Sequence, residues 1–213
     1  MGIRQGRPAS RFDLVVMVTS LGGFRSAASV LNGLPGNFPL PVILLQHGRR
    51  SDRPGQLAAL LQQHTDLPVR TADHHDVASR PGVTVIPHGW TAQLDSAYRL
   101  ELTPAERGAG GDLLLSSAAK AAGPRLIGVI LTGLLRDGSE GVRAVKRHGG
   151  RVLVEDPVTA RAGAMPSSAL ATGCVDFALP NTRLASALIA LALAPGGAEL
   201  FTVPTPAWAS LGA

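Results

Sequence analysis

Three side chains of this sequence carry, between them, the chemistry of acyl transfer: the hydroxyl of Ser20, the imidazole of His47 and the carboxylate of Asp137. A serine hydroxyl attacks a carbonyl when a base removes its proton, and an imidazole serves as that base best when a carboxylate holds its far nitrogen. Ser20 stands in Thr19-Ser20-Leu21-Gly22-Gly23, directly after the apolar run Leu14-Val15-Val16-Met17-Val18. A serine on such a strand-to-helix turn projects its Oγ at the top of a sheet, with N–H groups of the helix start facing an incoming oxyanion. Val18 occupies the first glycine position of the full Gly-x-Ser-x-Gly elbow, so a plain helix cap stays open as the other reading of Ser20. His47 closes a second apolar run, Val42-Ile43-Leu44-Leu45, and imidazole titrates in the range a general base needs; taken alone it is equally a satisfied structural histidine. Asp137 lies in Thr132-Gly133-Leu134-Leu135-Arg136-Asp137-Gly138, where a carboxylate either orients an imidazole or caps the following helix.

Residues so far apart in the chain need a scaffold that brings strand ends together. The two runs already named read as strands buried on both faces, with a helix over 24–31 between them, stopped by Asn32-Gly33 and Pro35. A second helix is expected over 54–63, from leucines at helical spacing after Pro54. The stretch 69–102 offers short β-prone pieces (69–71, 83–86 and 98–102) between Gly, Pro and Asp, and predicts a small antiparallel hairpin extension. Asp112 looks like the N-cap of a helix over 113–122. Strands at 126–131, 152–155 and 175–178 then alternate with helices at 138–148, 165–172 and 184–193. This alternation predicts an α/β fold: a doubly wound, mostly parallel sheet flanked by helices, with working residues outside the carboxyl ends of strands. The domain is expected over 14–193, between a leader, 1–13, and a Pro/Gly/Ala-rich tail, 194–213.

Composition narrows the classes of function. With 45% hydrophobic residues, 16% charged and a mean hydropathy of +0.19, the 213 residues have a core to bury and are not a disordered polymer. No apolar run is long enough to cross a membrane and no secretory signal opens the chain, so a cytoplasmic location without membrane insertion is expected. The single cysteine, Cys174, forms no internal disulfide and reads as a small buried thiol. The net charge of +5 is spread along the chain, almost all as arginine, and with only 4% aromatics there is no stacking platform for a single strand; nucleic acid is not expected as a partner. His74-His75, between Asp73 and Asp76, reads as an exposed loop whose adjacent side chains diverge, and His64, His88 and His148 lack partners at ligand spacing; no metal is expected. Ser20-Leu21-Gly22-Gly23 has neither the lysine of a P-loop nor dinucleotide-fold glycine spacing.

Matched blocks from about residue 14 to 193 resemble the catalytic domain of the chemotaxis protein-glutamate methylesterases, the CheB family. Val18-Thr19-Ser20-Leu21-Gly22-Gly23 is similar to that family's Gly-Ala-Ser-Thr-Gly-Gly, and Gln46-His47 to its strand ending in Gln-His. Leu131-Thr132-Gly133-Leu134-Leu135-Arg136-Asp137-Gly138 is similar to its Leu-Thr-Gly-Met-Gly-x-Asp-Gly. Met165-Pro166 and Gly173-Cys174-Val175-Asp176 look like its Met-Pro helix start and Gly-x-Val-Asp strand. The resemblance implies Ser20 as nucleophile, His47 as base and Asp137 as orienting carboxylate, with hydrolysis of glutamate γ-methyl esters to glutamate and methanol and deamidation of certain glutamines. The expected oxyanion donors are the backbone N–H groups of Leu21 and Leu134, and the expected substrate rim is Thr19, Gly22, Gly23, Thr132, Gly133 and Met165. No cofactor is implied, and the implied partner is a methylated, chemoreceptor-like helical protein, toward which an Arg-rich rim would steer the chain.

The sequence departs from the family pattern where substrate would be recognised. Gly48-Arg49-Arg50-Ser51-Asp52 stands for Met-Pro-Pro-Gly-Phe, a pocket histidine is replaced near Thr91, Ala109-Gly110-Gly111 stands for Arg-Pro-Ser, and Leu21 replaces a polar residue beside the nucleophile. Only about a dozen residues precede the first strand, where the family carries a regulatory receiver domain, so a stand-alone hydrolase is expected. The other expectation left open is a member that keeps the fold as a binding or scaffold module.

Overall fold

A computed structural model describes residues 11–48, 55–105, 110–134, 136–197, 199, 203–204 and 206–207. Most of the expected leader and part of the expected tail, as well as Arg49-Arg50-Ser51-Asp52 and Leu135, lie outside the described residues. Seven parallel strands form one sheet in the order β3-β4-β2-β1-β7-β8-β9, from β1 (Leu14–Thr19), β2 (Pro41–Gln46), β3 (Val69–Thr71), β4 (Gly82–Val85), β7 (Leu126–Ile130), β8 (Arg151–Glu155) and β9 (Phe177–Leu179). A separate antiparallel hairpin joins β5 (Trp90–Leu94) to β6 (Leu100–Pro104).

The periodicity of β1 explains why the sheet is covered on both sides. Successive side chains of a strand point to opposite faces. Val15 and Met17 join the cluster containing Leu31, Leu61, Leu184 and Leu188, from α1 (Gly23–Asn32), α2 (Gln56–Gln62) and α6 (Asn181–Leu193). Leu14, Val16 and Val18 join the opposite cluster, with Leu114, Leu115, Val142, Val145 and Met165 from α3 (Gly110–Ala122), α4 (Ser139–Arg147) and α5 (Ala164–Leu170). Every residue of β1 is buried, and each large aliphatic side chain so placed contributes about 1.5–3 kcal/mol. Among the polar groups of this core, Lys146 and Asp176 form a buried ion pair, and the Asp176 carboxylate also accepts the Val152 and Val203 N–H groups.

The predicted doubly wound α/β architecture is what the chain adopts, with the antiparallel extension narrower than expected. The pieces at 69–71 and 83–86 belong to the main sheet, where β3 pairs with β4 and β4 with β2, all parallel; β5 and β6 pair antiparallel, with an isolated antiparallel bridge between Val77 and Arg99. All four residues of β4 are buried, and a strand covered on both faces needs sheet neighbours on both sides, which a peripheral hairpin lacks.

From β1 the chain crosses through α1 to β2 on one side, and from the neighbouring β7 through α4 to β8 on the other. The strand order therefore reverses between β1 and β7, and a crevice opens outside their carboxyl ends. Ser20 leaves the first of these strands; the Thr132–Asp137 loop leaves the second.

Candidate functional site

Backbone hydrogen bonds continue past the strands and lock the three loops together. In the β1–β2 register Thr19 lies opposite Gln46, and the His47 N–H donates to the Thr19 carbonyl at 2.9 Å, so Ser20 and His47 leave adjacent strands side by side. On the other flank the Ser20 N–H donates to the Thr132 carbonyl at 3.0 Å. Asp137 arrives from the β7–α4 loop, and its Oδ2 lies 2.5 Å from His47 Nε2. The structure thus brings Ser20, His47 and Asp137 to one corner, with His47 partly exposed and the Asp137 side chain only 2% exposed.

The Asp137 carboxylate is held chiefly by backbone. Its Oδ2 accepts the Gly111 N–H at 2.7 Å and its Oδ1 the Asp112 N–H at 3.0 Å, both from the first turn of α3. A helix start offers unpaired donors and a partial positive charge, so it favours a carboxylate there. Burial by itself would raise the Asp137 pKa; the His47 contact and these N–H groups outweigh it and hold the carboxyl below its ordinary value.

Asp112, expected as the N-cap of α3, lies instead within its first turn and turns its carboxylate to the Gly141 N–H at 2.7 Å. The α3 donors are satisfied from 25 and 26 residues away by Asp137, a capping that no local rule detects. Burial and the neighbouring Asp137 charge push the Asp112 carboxyl up to about 6. Gly111 is the residue that permits this packing: a Cβ there would sit 2.7 Å from Asp137 Oδ2 and 2.6 Å from Val18 Cγ1.

Of the residues expected on the substrate rim, only Gly22 is partly exposed; Thr19, Gly23, Thr132, Gly133 and Met165 are buried. Their side chains and backbones are taken up in supporting the Ser20 turn from beneath. The Thr19 hydroxyl donates to the Thr132 carbonyl at 2.9 Å, and the Thr132 hydroxyl donates to the Leu21 carbonyl at 3.1 Å while accepting the Ala162 N–H at 2.8 Å. Gly22, at φ +80°, caps α1 in the left-handed region that favours glycine. Gly133 passes so close to Ser20 and Met165 that a Cβ would sit 2.9 Å from Ser20 Cβ and 2.1 Å from Met165 Sδ. Leu21 and Leu134, whose N–H groups were expected as oxyanion donors, flank the corner with half-exposed side chains.

Two contributors were missed in the sequence. Gly110 and Gly111, read there as a lost rim segment, are the helix start that holds Asp137. Glu155, read simply as the end of a strand, is a buried carboxylate whose Oε2 accepts the Thr132 N–H and the Ser26 hydroxyl, each at 2.7 Å. The available signal was one acidic residue closing the buried run Val152-Leu153-Val154, because acidic side chains are almost never fully buried without partners.

An open cleft of about 570 Å³ adjoins Asp112, lined among others by Arg136, Ser139, Arg143 and Ser167. Thr91, where the pocket histidine was expected to be lost, is buried and donates its hydroxyl to the Gly110 carbonyl at 3.2 Å. His74 and His75 do not diverge as expected: residue 75 takes φ +70°, and the two rings come within 4.0 Å in an exposed turn. Among the described residues no group of three or more His, Cys, Asp or Glu side chains is placed to hold a metal ion, and no helix is long and apolar enough to cross a membrane.

Comparisons with known proteins place the chain among relatives of one family. The chain is 38% identical over 191 residues to the protein-glutamate methylesterase FrzG of Myxococcus xanthus, covering 87% of this chain and 57% of that protein. It is 30% identical over 185 residues to a putative protein-glutamate methylesterase/protein-glutamine glutaminase of Leptospira interrogans, covering 84% of this chain and 95% of that protein. A methylesterase/glutaminase of Anaeromyxobacter dehalogenans is 37% identical over 88% of this chain and, like FrzG, is spanned over 57% of its own length, so the chain covers little more than half of these two relatives. The crystal structure of the Thermotoga maritima CheB methylesterase catalytic domain superposes with a TM-score of 0.75 at 32% identity, covering 84% of this chain and 97% of that one. A family model described as CheB methylesterase matches residues 15–188, and the chain belongs to that family.

Proposed function

We propose that this chain is a serine carboxyl-ester hydrolase that removes the methyl group from glutamate γ-methyl esters on a chemoreceptor-like helical protein. The observation that carries the reading is the His47–Asp137 contact at 2.5 Å beside Ser20, at the reversal of strand order between β1 and β7. The names of its relatives, protein-glutamate methylesterase and protein-glutamine glutaminase, support the substrate class.

Because His47 turns Nε2 toward Asp137, Nδ1 is the nitrogen free to take the Ser20 proton. Ser20 Oγ then attacks the ester carbonyl carbon, and the oxyanion is received by the N–H groups of Leu21 and Leu134. Collapse of the tetrahedral intermediate expels methoxide, which takes the proton from His47 and leaves as methanol. Water attacks the acyl-enzyme with His47 again as base, releasing glutamate and restoring the serine. A glutamine side chain follows the same course with ammonia as the leaving group. Asp137 stays ionised throughout, held so by the α3 N–H groups, and stabilises the imidazolium each time it forms.

Ser20→Ala tests the proposal. It removes the nucleophile and leaves the Ser20 backbone hydrogen bond in place, so the protein folds and methanol release from a peptide bearing glutamate γ-methyl ester falls to the uncatalysed rate. Turnover at the wild-type rate would end this reading.

A further inference from the structure

The site contains a second carboxylate with no part in the steps above. Glu155 closes β8, is 3% exposed, and uses one oxygen for two donors: the Thr132 N–H and the Ser26 hydroxyl, both at 2.7 Å. Ser26 is itself held by Asn181 Nδ2 at 2.7 Å, so β8, α1, α6 and the β7–α4 loop meet at this group. A carboxyl group buried among neutral donors is an expensive choice for packing alone, since an apolar residue of similar volume needs no partners.

What that choice secures is Thr132, whose hydrogen-bonding groups are all engaged. Glu155 takes its N–H; its carbonyl receives the Ser20 N–H at 3.0 Å and the Thr19 hydroxyl at 2.9 Å; its hydroxyl reaches the Leu21 carbonyl at 3.1 Å. The N–H of the nucleophile and the carbonyl of the residue after it are therefore pinned to a residue that is pinned to Glu155. We propose that Glu155 is a positioning residue of the reaction: through Thr132 it sets where Ser20 and the Leu21 peptide stand relative to the scissile carbonyl. The inference rests on the proposed role of Ser20. It requires that loosening Glu155 slow the chemistry out of proportion to any loss of stability, because displacements of about 1 Å at a reacting group cost on the order of 10²-fold in rate.

A fluorophosphonate probe reports this directly, since its rate of reaction with Ser20 reads nucleophile and oxyanion geometry without requiring the natural substrate. Ser20→Ala is the blank. Glu155→Ala is expected to label at least about tenfold more slowly than wild type while keeping its circular dichroism and cooperative unfolding. Glu155→Gln, which can present an amide oxygen to Thr132, recovers most of that loss. Ser26→Ala, which removes the other donor and leaves the Thr132 bond intact, labels within about twofold of wild type even where its Tm drops. Glu155→Asp withdraws the carboxylate by one methylene and carries the same expectation as Glu155→Ala should the alanine variant not fold. The inference is overturned if a folded Glu155→Ala or Glu155→Asp labels at the wild-type rate, or if Ser26→Ala slows labelling as much as Glu155→Ala does. A wild-type protein that labels no faster than Ser20→Ala overturns the proposed function as well, so the two failures are told apart.

Discussion

Replacing Asp137 with asparagine separates the two duties this side chain performs. The carboxylate presents Oδ2 to both His47 and the Gly111 N–H, and Oδ1 to the Asp112 N–H. An amide has one oxygen and one NH₂ group, so in either flip an NH₂ faces a backbone N–H and one of these buried donors loses its acceptor. A buried donor left unpaired costs about 1–3 kcal/mol, and loss of negative charge at the α3 start costs about 0.3–1 kcal/mol more. For a chain of this size 2 kcal/mol corresponds to a fall in Tm of about 4–8 °C. Because the folded-state pKa of Asp137 is held below 3.8, its charged form contributes stability that is fully present above 3.8 and is lost as pH falls through the lower folded value. The Tm gap between wild type and Asp137→Asn therefore persists from pH 8 to pH 5 and narrows only in strong acid. The kinetic effect is larger. A neutral amide neither fixes the His47 tautomer nor stabilises the imidazolium, and the equivalent change in the serine-protease triad lowers turnover about 10⁴-fold, or about 5 kcal/mol. Methanol release from a glutamate γ-methyl ester peptide, measured alongside thermal unfolding, reads both quantities. A folded Asp137→Asn protein retaining more than about a third of wild-type kcat would refute the assignment of Asp137 to the reaction, whatever its Tm.

Two further substitutions test the surrounding packing. Asp112→Asn keeps an acceptor for the Gly141 N–H but removes a charge that burial disfavours; since the folded pKa is raised from 3.8 to about 6, wild type loses stability as pH rises between those values and the variant does not. Asp112 is half-buried, so solvent screening leaves a gain of about 1 kcal/mol at pH 8 that vanishes below about pH 4, measurable by urea unfolding at both pH values; an equal gain at both would refute the reasoning. Gly133→Ala places a methyl against Met165 Sδ and Ser20 Cβ, and Met165 is buried, so the loop backbone must shift away from the nucleophile. The expected result is a loss of about 10²-fold in kcat with about 1–3 kcal/mol of stability, and a crystal structure of the variant with Ser20 unmoved would contradict it.

The fold was legible where strands are long and apolar on both faces. Residues 14–18, 42–45 and 126–131 read as buried strands, their alternation with helices made them parallel, and the strand-end rule then selected Ser20, His47 and the Asp137 loop before any geometry was known. The short pieces around β3 and β4 were misplaced because a run of three or four residues carries no period, and only the neighbours β4 finds in the sheet decide its partner. The supporting residues were illegible for a related reason. Thr132, Gly133 and Met165 carry motif positions that pointed to a rim, whereas Thr132 is taken up by bonds to Ala162, Leu21 and Glu155, Gly133 donates to the Ala162 carbonyl, and Met165 packs into the core, all through partners distant in the chain. Gly111 gave no sign that its N–H would serve an aspartate 26 residues later.

The two aspartates at the start of α3 show how one helix terminus can treat like groups in opposite ways. Asp137 receives two α3 N–H groups and the imidazole; Asp112, inside the same turn, receives the Gly141 N–H and faces the charge of Asp137. One carboxyl is consequently held below 3.8 and the other raised to about 6, so of these two carboxyls Asp112 is protonated first on acidification. With Asp112 neutral, the like-charge repulsion on Asp137 is removed while the contacts that keep it ionised are unchanged. The carboxylate that faces His47 is thus kept charged by that imidazole and by the Gly111 and Asp112 N–H groups, while the carboxyl beside it yields its charge first.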